Sequence, residues 1–219
     1  KRALLASVEQ RAQPDALIAS NTSSLRVADI ATALADPSRL VGVHFFNPVA
    51  MMPLVEVVRT AASGEEALVR AAAFVRKLDK LPLPVRDAPG FLVNAVLGPY
   101  MYEALRCVDE GIAPEAIDAA LTAFGMPMGP IELIDTVGLD IAVAAGKALA
   151  GADAVLPRAL ADRVAAGQLG KKSGQGFYRW EAGKARKAAT PAVPEGLARR
   201  IVAPLLAAAD DCVARGVVA

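Results

Sequence analysis

Two strand-like runs, LVGVHFF (40–46) and LVEVV (54–58), flank the loop NPVAMMP (47–53). Their proximity and their apolar, β-branched character read as an antiparallel hairpin with its midpoint at Ala50. That symmetry dictates a register. His44 falls directly opposite Glu56, with Cβ atoms roughly 5 Å apart on one face of the sheet. Val43, Phe45, Val55 and Val57 take the other face, because successive side chains alternate. His44 is the only histidine in the chain. A single imidazole in an apolar strand has a purely structural reading, as a satisfied core residue or half of a buried ion pair. A carboxylate beside it also fixes its tautomer and steadies its orientation, as a general base requires. Both readings stand on these residues alone.

Helices and strands alternate up to about Arg86, which predicts an α/β fold. KRALLASVEQRAQ reads as a helix over about 2–12, feeding a buried strand over about 15–20. NTSS is a polar turn and LRVADIATAL a helix. Leu68, Ala71, Ala72, Val75 and Leu78 recur at helical spacing within 65–79. LPLPV suits a sheet edge, since its prolines cannot donate to a ladder.

From residue 87 the period changes. Val93, Leu97, Tyr100, Met101, Ala104 and Val108 form one stripe of a long helix, bent at Pro99. Pro114 and Pro130 stand near the first turns of two more helices. The second of these runs through GPIELIDTVGLDIAVAAGKAL, and another follows near 155–166. The expected organisation is α/β then all-α: 1–86, a helical domain over 87–180 closed by GKKSGQGFYRW, a linker over 181–195, and a further helix over 196–219. That last helix repeats an earlier one. VLGPYMYEALRCVDEGIA (96–113) aligns without a gap on IVAPLLAAADDCVARGVV (201–218). Pro99, Cys107 and Gly111 meet Pro204, Cys212 and Gly216, which argues for a duplicated unit. The chain opens in mid-domain and stops within the second copy, so both ends are expected to be cut.

Several function classes lose support. A formal net charge of +1 gives no electrostatic reason for a nucleic-acid or membrane-surface partner. The longest apolar stretch, Ile141–Ala150, is broken by Lys147 and is too short for a membrane span. Two cysteines make no disulfide framework and suit a reducing, cytoplasmic setting. NTS at 21–23 matches a glycosylation acceptor only by coincidence, as nothing resembles a secretion signal. GKKSGQGFY fails as a phosphate loop, since Ala165 stands where the first glycine of G-x-x-x-x-G-K belongs. There is no G-x-G-x-x-G, and two cysteines with one histidine make no metal cluster.

Two polar residues stand where ligands bind. Ser23 follows the carboxyl end of the strand ALIAS, the ligand-binding edge of open parallel sheets. Asn94 opens the helix after DAPGF, near backbone N–H groups with positive partial charge. Turn chemistry and helix packing account for such residues equally well.

The segments SNTSSL, GVHFFNPVAMMPLVEVV, DAPGFLVN, GMPMGPIELIDTVGLD and GKKSGQGFYRW resemble, in order and spacing, the motifs of the L-3-hydroxyacyl-CoA dehydrogenases. The resemblance covers about residues 1–180. The repeat after 196 is similar to the multifunctional α-subunits of fatty-acid β-oxidation, where the helical domain is duplicated and an enoyl-CoA hydratase domain lies upstream. The family implies the C-terminal part of a Rossmann-like NAD-binding domain, then a helical dehydrogenase domain and the start of its second copy. It implies oxidation of L-3-hydroxyacyl-CoA to 3-ketoacyl-CoA with NAD. His44 would take the 3-hydroxyl proton as hydride leaves C3, and Glu56 would orient and support it. Ser23 and Asn94 would bind around the reacting oxygen. Asn47 would lie against the cofactor, which Ser23 also touches, with Lys1 and Lys172 near the dinucleotide. The implied partners are an acyl-CoA substrate and a homo-oligomer or multienzyme β-oxidation complex. Two departures stand out. Ala95 replaces the family's usual Arg, and the glycine-rich turn, the acidic ribose-binding residue and the main CoA-contacting region are absent from these residues. The isolated chain is therefore expected to bind NAD weakly and turn over poorly. The competing reading is a non-catalytic helical packing or oligomerisation module.

Overall fold

The structure, a computed structural model, describes residues 1–23, 25–151 and 153–218. The chain forms two compact units, Lys1–Val93 with Cys212–Ala219, and Asn94–Asp211.

The first unit holds α1 (Arg2–Glu9), β1 (Ile18–Ser20), α2 (Val27–Ala31), β2 (Leu40–Phe45), β3 (Leu54–Arg59), α3 (Glu65–Lys77) and β4 (Leu81–Arg86). The strands lie in the order β1-β2-β3-β4. The outer pairs are parallel and β2–β3 is antiparallel. Leu40, Val58 and Val85 pack with Ile18, Val27, Ile30 and Phe91 on one face. Val41, Val43, Val55 and Val57 pack with Ala67, Ala71 and Val75 of α3 on the other. Each fully buried Val, Leu or Ile among these contributes about 1.5–3 kcal/mol over its exposed state.

Three of these elements are shorter than their sequence patterns suggest, two of them for identifiable reasons. Arg39 draws the carbonyls of Gln13 and Ala16 onto its guanidinium, at 2.8 and 3.0 Å, so the residues before β1 pair with a side chain instead of a strand. The Glu9 carboxylate accepts from the amides of Ala35 and Asp36, both at 2.8 Å. This holds the exit of α2, whose last turn tightens as Ala33 and Leu34 donate to Ile30 and Ala31. α1 itself stops at Glu9, before the expected end.

The helical unit contains α4 (Val93–Asp109, its first residue in the other unit), α5 (Pro114–Phe124), α6 (Pro130–Val137), α7 (Leu139–Ala150), α8 (Arg158–Ala165), the strands β5 (Arg179–Glu181) and β6 (Lys184–Arg186), and most of α9 (Leu197–Ala214). Its core gathers Tyr100, Ala104, Leu105, Ile117, Leu121, Ile131, Ile134, Leu139 and Leu160 with Leu197, Ile201 and Val202 of α9. The single helix expected from Pro130 onward is two helices. Gly138, at φ 109°, breaks it after its amide has closed the last turn on Ile134. The expected linker over 181–195 also begins differently. Its first residues complete the β5–β6 hairpin, turned by Ala182 and Gly183 at φ 49° and 77°. The strand then leads to Lys187, which reaches Asp118 at 3.1 Å and Glu132 at 2.6 Å.

Two buried carboxylates organise this unit. Asp118 caps α6 by accepting from the amides of Ile131 and Glu132, and also accepts from the Tyr178 hydroxyl at 2.7 Å. Asp135 accepts from the amides of Phe177 and Tyr178 and from the Trp180 indole, each at 2.9 Å. The segment that failed as a phosphate loop thus wraps a carboxylate of its own chain. A Cβ at Gly170 or Gly176 would fall 2.2 Å from Asp135 atoms, so only glycine fits there.

The two matched segments end in the same helix C-terminal turn, which also closes α5 and α8. After α4, Gly111 donates to Val108 at 2.9 Å and Ile112 to Cys107 at 3.0 Å. After α9, Gly216 donates to Val213 at 2.9 Å and Val217 to Cys212 at 2.8 Å. Both glycines have positive φ, the usual solution for a helix C-terminus. Among the described residues no helix is long and apolar enough to cross a membrane.

Candidate active site

The hairpin register is the one its symmetry dictates, with His44 paired to Glu56. His44 is 5% exposed and Glu56 is fully buried. The imidazole Nδ1 lies 2.7 Å from Oε2 of Glu56. Oε1 of Glu56 accepts from the successive amides of Leu92 and Val93, both at 2.9 Å. A buried carboxylate is costly unless paired and hydrogen-bonded, and here three donors compensate it. Since Glu56 can only accept while ionised, Nδ1 must carry the hydrogen, and Nε2 keeps its lone pair. The imidazole is flanked by the rings of Phe46 and Phe91, with centroids at 4.6 and 5.6 Å and tilts of 57° and 60°. The imidazole is oriented and largely dry.

Around it, the carboxyl ends of the parallel strands β1 and β2 are tied together. The side chain of Asn21 accepts from the amide of Phe45 at 3.1 Å, and buried Thr22 accepts from Leu25 at 3.0 Å. Ser23 sits exposed in that turn. Asn47 is exposed at the start of the β2–β3 loop. Lys80 holds the loop by donating to the carbonyls of Val49 and Met52, at 2.6 and 2.8 Å. Open sheets bind dinucleotides at this edge. An exposed hydroxyl and an exposed amide are neutral donors and acceptors that suit a nicotinamide carboxamide. Lys1 is exposed at the head of α1.

The other two assigned residues, Asn94 and Lys172, belong to the helical unit. Asn94 is the second residue of α4 and is partly buried. Lys172 is engaged by Asp140, at 2.5 and 2.6 Å. That contact holds the Asp140 carboxyl below the usual carboxylate range, chiefly through the hydrogen bond from Lys172. Sequence reasoning missed the amides of Leu92 and Val93 and the two flanking phenylalanines. The Pro-Gly pair at 89–90 signals a turn, but not where its amides point. Among the described residues no cluster of three or more His, Cys, Asp or Glu could hold a metal ion.

Residues 1–88 match the family profile "3-hydroxyacyl-CoA dehydrogenase, NAD binding domain", and residues 90–180 match "3-hydroxyacyl-CoA dehydrogenase, C-terminal domain". The crystal structure of M. tuberculosis FadB2 is 39% identical, with a TM-score of 0.76, over 83% of this chain and 68% of that one. The chain belongs to the 3-hydroxyacyl-CoA dehydrogenase family. The 3-hydroxybutyryl-CoA dehydrogenase of Escherichia coli K12 superposes with a TM-score of 0.76 at 37% identity, over 89% of this chain and 43% of that one. The fatty acid oxidation complex subunit alpha of Pseudomonas savastanoi pv. phaseolicola is 43% identical over 203 residues, 88% of this chain. The chain spans 28% of the length of that relative. In 3-hydroxyacyl-CoA dehydrogenase terms, the junction of the two profiles falls at Pro89, just before the Gly90–Phe91 turn that leads to the Leu92 and Val93 amides donating to Glu56.

Proposed function

We propose that this chain carries the proton-transfer centre of an NAD-dependent L-3-hydroxyacyl-CoA dehydrogenase, oxidising L-3-hydroxyacyl-CoA to 3-ketoacyl-CoA in fatty-acid β-oxidation. The observation that carries this reading is the buried His44–Glu56 pair, with its carboxylate anchored by two backbone amides. Nε2 of His44 takes the proton of the substrate's 3-hydroxyl. NAD, when bound, supplies the hydride acceptor for C3. Glu56 holds the imidazolium that forms, and needs no rearrangement to do so. In the reverse direction the same imidazolium returns its proton to the ketone oxygen.

Ser23 and Asn94 are assigned to the substrate's reacting oxygen by their motifs, and Ser23 and Asn47 to the nicotinamide end. Lys1 and Lys172 are assigned to the dinucleotide by their motifs. An acyl-CoA is the substrate partner. The chain works in the cytoplasm within a multienzyme β-oxidation assembly or a homo-oligomer; relatives named as subunits of a fatty acid oxidation complex support the first of these assemblies.

The test is a double-mutant cycle on the protein expressed from its complete coding sequence, following acetoacetyl-CoA reduction by NADH. His44→Gln and Glu56→Gln should each lower kcat by about 10²–10⁴-fold. Together they should lose little more than the worse of the two, because residues acting as one unit are non-additive. Wild-type-like turnover in His44→Gln, or effects that multiply, would leave the non-catalytic packing module as the better account.

A further inference from the structure

We infer that Phe91 is a positioning residue for the His44–Glu56 pair, acting once through its backbone and once through its ring. The inference rests on the catalytic use of His44 proposed above.

Consecutive residues Gly90 and Phe91 have φ of 73° and 53°. Glycine adopts that region freely, whereas a bulky side chain does so only under compulsion from its surroundings. Phe91 is 2% exposed and belongs to the core formed with Ile18, Val27, Ile30 and Val85. Core filling explains a large apolar side chain but not its backbone. The backbone has another use. The left-handed turn at 90–91 delivers the next two amides, of Leu92 and Val93, to the same oxygen of Glu56. One carboxylate oxygen is thereby pinned, and the other is left for Nδ1 of His44.

The ring supplies the second constraint. Its centroid stands 5.6 Å from that of the imidazole at a 60° tilt, while Phe46 stands at 4.6 Å and 57°. Rotation of the imidazole about its Cβ–Cγ bond would break the contact with Glu56, and the two rings limit that rotation. Their apolar bulk also keeps water from competing for the carboxylate. Strained backbone persists where the surroundings over-determine it, and such positions cluster at functional sites. Phe91 serves the pair from both directions.

The 219-residue chain has one histidine, so its imidazole gives a single nitrogen spin system. Long-range proton–nitrogen correlation spectra then report tautomer and Nδ1–H exchange directly, without any need for activity. Two variants separate the roles. Phe91→Leu keeps apolar bulk and backbone cost but removes the ring, and Phe91→Gly removes the ring and relieves the backbone. In each, amide spectra establish the fold. The wild type should show one tautomer with a slowly exchanging Nδ1–H. Phe91→Leu should speed that exchange by about tenfold or more and, in the protein from the complete coding sequence, lower kcat about tenfold with KM nearly unchanged. On a His44→Gln background it should cost nothing further. A folded Phe91→Leu with wild-type tautomer and exchange would overturn the inference, which needs the ring as well as the backbone, and leave the ring as core filler; if Phe91→Gly fails to fold, Phe91→Leu still decides. Activity that survives His44→Gln would refute the proposed function, while the tautomer and exchange rate of the Phe91 variants would still decide whether Phe91 positions the pair.

Discussion

Glu56 is the residue on which the site depends, and its two oxygens make different demands. Glu56→Ala would strand the amides of Leu92 and Val93 and release His44. We expect a stability loss of about 3–5 kcal/mol, measured by urea unfolding. Glu56→Gln should be gentler on the fold and severe on the chemistry. Its carbonyl can serve the two amides, but its NH₂ then faces Nδ1 and forces the hydrogen onto Nε2, the wrong tautomer for a base. The variant should fold within about 1–2 kcal/mol of wild type and show a reversed tautomer in nitrogen spectra. The pair itself was legible in the sequence because strand side chains have a period of two and the loop has an unambiguous centre at Ala50. The amides that hold the carboxylate were not legible. They depend on the left-handed Phe91, and no apolar periodicity marks a backbone angle.

The long stripe of α4 and the proline-led starts of α5 and α6 were plain in the sequence, since a 3.6-residue period survives any tertiary context. The break at Gly138 was hidden, because apolar residues continue at helical spacing on both sides of it. The β5–β6 hairpin was hidden too, as Ala182–Gly183 lacks the Asn-Gly signal that usually marks such a turn. Around Asp135, Gly176→Ala should cost about 2–4 kcal/mol, since the new Cβ would land 2.2 Å from Oδ1. Gly174→Ala is the control. It meets nothing within 4 Å, so only its φ of 78° matters, at about 1–2 kcal/mol. The same knot sets an alkaline limit. Burial, with Asp118 as the lesser cause, raises Tyr100 to about 12 and raises Tyr178 well above a free phenol. A raised folded-state pKa gives stability that is fully present below the ordinary phenol value of 10.0 and lost as pH rises towards 12. The Tm should therefore fall across that range, with the tyrosinate absorbance of the two buried residues, Tyr100 and Tyr178, appearing together with unfolding. Tyr178→Phe should flatten the dependence.

At the scale of the whole chain, α9 ends differently from how it begins. Leu197, Ile201 and Val202 lie in the core of the helical unit, while Cys212 and the residues after it count with the sheet. Amides across α9 should exchange as slowly as those of α4, and Ile201→Ala, fully buried, should cost about 2–5 kcal/mol. Fast exchange throughout α9 would refute that packing. That α9 is a helix was readable from its apolar spacing, but the docking of its tail was not, because hydrogen bonding to a distant strand leaves no local pattern. That tail sets an order of events at the ribosome. The amide of Arg86, the last residue of β4, donates to the carbonyl of Val217, with the entire helical unit encoded between them. All four strands leave the exit tunnel long before their final partner exists. During that interval the end of β4 is an open edge, available to any extended segment that emerges or passes by. A nascent chain stalled short of Val217 should be captured more readily by chaperones than one stalled well beyond it, at equal degrees of helix formation.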